Sequence, residues 1–203
     1  MMNACPRWSY LAVPLLAAFG CSDPVPPPAQ GAVTFAVHPP SPAVNQTTCP
    51  VPGMTYQVGT PDLKNCPNNP TGAPTDACPG GSVISGEKGS KISCSVKSAG
   101  GSFNFSGSLA AVTSAGQSVD IEFNSGVVTS DGTPGTVGVS ILTPDLQGTG
   151  GLSSPNCTVK VINGQVKGGS IWASFECPQV GASEKQYLCG TAGDIVFENC
   201  SGS

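Results

Sequence analysis

The stretch Cys157-Thr-Val-Lys-Val-Ile-Asn-Gly-Gln-Val-Lys-Gly-Gly-Ser-Ile-Trp-Ala-Ser-Phe-Glu-Cys177 decides the class of fold. In its first half Cys157, Val159 and Val161 alternate with Thr158 and Lys160; in its second, Ile171, Ala173, Phe175 and Cys177 alternate with Trp172, Ser174 and Glu176. Successive side chains of a strand point to opposite faces, so a period of two marks each half as a half-buried β-strand. Asn163-Gly164 between them suits a tight hairpin, because both turn positions need φ > 0. The expectation is two antiparallel strands turned at Asn163-Gly164, with Cys157 and Cys177 on the buried face.

The same period extends in both directions. Ile92, Cys94 and Val96 share one parity, as do Phe103, Phe105 and Leu109, and then Val137, Val139 and Ile141. Val119, Ile121 and Phe123 lie opposite Asp120, Glu122 and Asn124, and the chain closes with Ile195-Val-Phe-Glu-Asn-Cys200. Apolar residues nowhere recur convincingly at helical spacing. Many short alternating strands with glycine-rich turns predict an all-β fold: an antiparallel β-sandwich, with an open β-barrel as the alternative. Composition agrees, since only 10% of residues are charged and the chain holds 27 Gly and 20 Pro.

Proline divides the chain. Fourteen of the 20 prolines lie between Pro24 and Pro79, which separates a β domain over 81–203 from a Pro/Cys-rich arm over 32–80. The arm has two short β-like pieces, Ala32-Val-Thr-Phe-Ala-Val37 and Thr55-Tyr-Gln-Val58, too little apolar surface to fold alone. It is expected to be stapled against the main domain. Residues 21–31, with Ser22-Asp-Pro-Val-Pro-Pro-Pro-Ala-Gln30, form neither helix nor sheet by composition and read as an extended tether.

Of the 10 cysteines, Cys5 and Cys21 fall in or beside the apolar N-terminal run. The others, Cys49, Cys66, Cys78, Cys94, Cys157, Cys177, Cys189 and Cys200, are even in number and contain no CxxC pair. They predict disulfides formed in an oxidising compartment rather than a metal centre. Pairing does not follow from spacing; the expectation is a local Cys177–Cys189 bridge and a Cys94–Cys200 bridge joining first and last strands.

Residues 1–20 have the parts of a signal peptide: Arg7, an uncharged run from Leu11 to Phe19, and the small Gly20. Ala18-Phe19-Gly20-Cys21 resembles the lipobox of bacterial lipoproteins over these first 21 residues. The resemblance implies cleavage before Cys21, acylation (palmitate) of its thiol and anchorage in a membrane. Ser22, where Asp would retain such proteins, implies the outer membrane, with simple secretion as the alternative. Residues 81–200 are also similar to uncharacterised secreted or lipid-anchored β-rich bacterial proteins, through Trp172-Ala-Ser-Phe-Glu-Cys177 and Phe197-Glu-Asn-Cys200; that likeness implies no activity.

A net charge of -4 with scattered lysines provides no basic stripe for a phosphate backbone, so nucleic acid is not an expected partner. His38, the single histidine, is followed by Pro39-Pro40 and reads as an exposed linker residue, not as the base of a triad. HExxH, GxSxG, P-loop and GxGxxG motifs do not occur, and no cofactor is implied. Asp120, Glu122 and Asn124 on one strand face could ligate Ca²⁺ or pair carboxylates, but they are not an EF-hand loop, and a solvated outer face, the favoured reading, explains the same three residues without any function. Trp172, opposite the apolar parity, could stack on a sugar or anchor a protein; a covering loop or arm would instead make it a second small core.

Three functional expectations follow. The first is a non-enzymatic lipid-anchored envelope or surface protein. The second is a carbohydrate- or protein-binding module using Trp172. The third is an exported hydrolase, which would show a cleft holding an Asp or Glu of raised pKa.

Overall fold

The computed structural model describes residues 25–43, 49–60, 81–182 and 187–202. They form ten strands: β1 (Gln30–His38), β2 (Thr55–Val58), β3 (Val83–Ile84), β4 (Lys91–Ala99), β5 (Ser102–Val112), β6 (Ser118–Val128), β7 (Gly135–Leu142), β8 (Leu152–Lys167), β9 (Ser170–Ala182) and β10 (Leu188–Glu198). All strand pairings are antiparallel. No α-helix occurs among the described residues, and a single 3-10 segment, Pro144–Thr149, follows β7. The all-β expectation is met.

One continuous sheet holds all ten strands of the described residues, in the order β2-β1-β10-β9-β8-β7-β6-β5-β4, with β3 paired to β1. The sheet turns over on itself so that β5 and β6 pack against β9 and β10. Phe123 of β6 meets Phe175 of β9 edge to face at 5.2 Å and Phe197 of β10 at 6.0 Å. Phe197 also covers the bare backbone of Gly107 in β5, where an added Cβ would stand 2.6 Å from the ring. The core contains the alternating residues that the sequence pattern selects: Ile121, Phe123, Val139, Ile141, Val159, Val161, Ile171, Phe175 and Ile195 are all buried.

The open sheet is pinned near one edge. Beyond β10, Ser201 bridges to Ser95 of β4 in parallel sense. The Val96 N–H donates to the Ser201 carbonyl at 2.9 Å, and the Gly169 N–H donates to the Val96 carbonyl at 3.1 Å. The Cys94–Cys200 disulfide ties the same two segments. The middle of the β4 edge is therefore occupied by the chain's own end, which removes part of the unpaired backbone that edge strands expose.

β1 lies between β2 and β10, and Val33, Phe35 and Val37 belong to the same core as β4 to β10. Two expectations are corrected. First, Asn163-Gly164 is not the hairpin turn. Both residues have positive φ (50° and 69°) as foreseen, but they bulge out of β8, and the chain reverses at Gly168-Gly169, between the paired Lys167 and Ser170. Gly169 takes the positive φ (83°) that this turn needs, and the turn lets Val166 pair with Ile171, so both enter the core. Finally, Cys177 is not bridged to Cys189.

The observed bridges are Cys157–Cys177, Cys49–Cys189 and Cys94–Cys200; the last is as expected. Cys157 and Cys177 stand opposite each other across β8 and β9, with Cα atoms 4.3 Å apart. Cys189 faces the loop after β1 and joins Cys49, 140 residues away in sequence. Cys66 and Cys78 lie outside the described residues.

Candidate functional site

The outer face of β4, β5, β6 and β7 is built from small polar side chains in register. Ser93, Ser108, Glu122 and Ser140 form one row across the four strands, and Lys97, Asn104, Val127 and Thr136 form another. Ser95 faces Ser106 between them. The alternation that buries Ile121 and Phe123 forces Asp120, Glu122 and Asn124 outward. Beyond Asn124 the register slips on both sides of β6, and Ser125 has φ 53°. Such bulges bend a strand, and the bend hollows this face into a shallow trough.

The trough has two connected parts of about 250 and 510 Å³ that share Ser95, Ser106 and Asn124. The smaller is lined by Ser93, Ser108 and Glu122, the larger by Lys97, Asn104 and Ser125. Within it Ser93 and Ser108 share a hydroxyl hydrogen bond of 3.0 Å. The surface offers donors and acceptors for a polar molecule.

Asp120, Glu122 and Asn124 stand in a line on the exposed face of β6, their Cα atoms about 6.7 Å apart by strand rise. No group of three or more His, Cys, Asp or Glu side chains with metal-holding geometry occurs among the described residues. The Asp120 carboxyl is held above the ordinary carboxylate range, first by lost solvation and then by repulsion from Glu122.

Trp172 is 8% exposed and packs with Ala32 and Val196 in a small core on the outer side of the sheet. The three are direct cross-strand neighbours, Ala32 on β1, Val196 on β10 and Trp172 on β9. The ring thus offers no open platform for a sugar; a strand of the proline-rich region helps cover it. Its indole N–H donates to Glu198, whose carboxyl is raised above the ordinary range by burial, against the opposing effects of that hydrogen bond and of Lys167.

Glu198 lines a second groove of about 490 Å³, with Lys167, Gly169, Ser170, Asn199 and two residues of the tether, Pro26 and Pro27. Asn199 Nδ2 donates to the Pro28 carbonyl at 3.2 Å. Sequence reading missed Glu198 and this groove, because the groove exists only where the tether, the β8–β9 turn and the end of β10 meet. Its one available signal was that Glu198 follows Val196 on the face that also carries Trp172.

A third polar cluster is a latch. Tyr56 of β2 stacks on Phe35 at 5.1 Å and donates its hydroxyl to Asp145 Oδ2 at 2.9 Å, while Thr143 donates to Tyr56 at 3.3 Å. Burial, foremost, raises the Tyr56 pKa, so it stays a neutral donor that fastens the 3-10 segment to the sheet. His38, at the end of β1, donates from Nδ1 to the neighbouring Pro39 carbonyl at 2.7 Å. Cys21 lies outside the described residues.

Comparison with known proteins adds no assignment: no family model matches the chain, and neither a curated protein nor a solved structure is significantly similar to it.

Proposed function

We propose that this protein is a non-enzymatic, lipid-anchored envelope protein, a stapled β-sheet carried from an acylated Cys21 on a short proline-rich spacer. The observation that carries the reading is the lipobox-like Ala18-Phe19-Gly20-Cys21 standing ahead of a domain whose described residues hold three disulfides. Disulfides persist in oxidising compartments, and acyl chains contribute about 0.8 kcal/mol per buried methylene to membrane attachment. The outer membrane is the proposed address, on the resemblance at Ser22.

Labelling with radioactive palmitate in a bacterial host tests the anchor. Wild type should take up label and partition into detergent; Cys21→Ser should do neither, yet fold with the same disulfides. A wild type that takes up no label, or a Cys21→Ser protein that stays membrane-bound after cleavage, would overturn the proposal.

A further inference from the structure

The spacer is not free along its whole length. Pro26 and Pro27 form one wall of the groove whose other walls are Lys167 to Ser170 and Glu198 to Cys200. The Asn199 amide donates to the Pro28 carbonyl at 3.2 Å, from a residue whose φ is 55°. Gln30 then enters β1 opposite Glu198. The spacer is seated on the domain for at least three residues before its first strand begins.

We propose that this seat fixes the attitude of the domain on the membrane, with the end that carries the Gly168-Gly169 turn, Asn199 and Cys200 facing the lipid headgroups. The inference rests on acylation of Cys21. Chain length supplies the argument: the five steps from Cys21 to Pro26 span at most about 18 Å. Freed as far as Gln30, the nine steps would reach about 32 Å, close to the roughly 36 Å length of an 11-residue strand such as β10. A spacer that long lets the domain lie on any side, whereas one half as long does not. Proline also resists the bending that would fold the short leash under another face. Lys97, beside Gly202, and Lys167 stand on this rim, an arrangement suited to a headgroup layer bearing negative charge. The opposite end of β1 and β10, at the paired His38 and Gly190, lies eight residues away, about 27 Å by strand rise.

The full-length acylated protein, placed in nanodiscs with gadolinium chelated to a fraction of the lipid headgroups, tests the attitude by NMR. Amide relaxation of Gly168 and Gly169 should be enhanced several-fold more than that of Gly53 and Gly190. In Asn199→Ala combined with Pro26→Gly and Pro27→Gly that difference should shrink. Equal enhancement at both ends in wild type, or stronger enhancement at Gly190, would overturn the proposal. The seat itself is read separately in soluble Cys21→Ser protein, from nuclear Overhauser contacts between the Pro27 and Pro28 rings and Gly169 or Asn199. Contacts with no nanodisc association would locate the failure in the anchor, and their absence would locate it in the seat; either overturns the fixed attitude.

Discussion

Trp172 shows how one residue changes meaning once its neighbours are known. Alternation places it on the polar face of β9, but Val196 and Ala32 stand beside it on β10 and β1, and three outward apolar side chains in a row exclude water together. Trp172→Ala should therefore lower stability by about 3 kcal/mol, read as a shift of the urea midpoint; a binding platform would lose ligand and keep its midpoint. Glu198 responds to pH through the same cluster. Its folded pKa is raised, so the native state binds its proton more tightly than the unfolded chain does, and stability falls as pH rises through that interval. Glu198→Gln should match wild type in melting temperature below about pH 3, where the carboxyl is neutral in both states, and exceed it at neutral pH. A wild type that gains on Glu198→Gln as pH rises would reverse the sign and refute the account.

At the scale of strands, the bridges divide by what they close. Cys157–Cys177 joins adjacent strands 20 residues apart in sequence, whereas Cys94–Cys200 spans 106 residues and pins the β4 edge to the chain's end. By loop entropy, removing the first with paired Cys→Ala substitutions should cost about 3 kcal/mol and removing the second about 5 kcal/mol. Non-reducing peptide mapping should recover Cys49–Cys189, Cys94–Cys200 and Cys157–Cys177, and a Cys177–Cys189 peptide would contradict the fold. The hairpin between β8 and β9 carries the same lesson. Two candidate turns, Asn163-Gly164 and Gly168-Gly169, both accept positive φ, and local chemistry does not rank them; pairing of Val166 with Ile171 in the core does.

Across the whole molecule, the single sheet makes a prediction about cooperativity. With β1 between β10 and β2, the backbone amides of residues 33–37 should exchange with solvent as slowly as those of 119–123, through one global unfolding event. Faster exchange in the first set, by orders of magnitude, would mark a separate arm. The strands themselves were legible in the sequence because the two-residue period is a local consequence of pleating, and burial of one face writes it directly into residue order. The outward placement of Asp120, Glu122 and Asn124 was legible for the same local reason, and positive φ at Asn163 and Gly164 followed from their own backbone preferences. What only the tertiary structure decided is every relation between residues distant in the chain: the partner of Cys189, the membership of β1 in the sheet, the cover over Trp172, and the groove where Pro26 meets Glu198. Those depend on how the sheet turns over and which strands become neighbours, a long-range choice made by summed packing and by the chain's end closing on β4, and no local pattern encodes it.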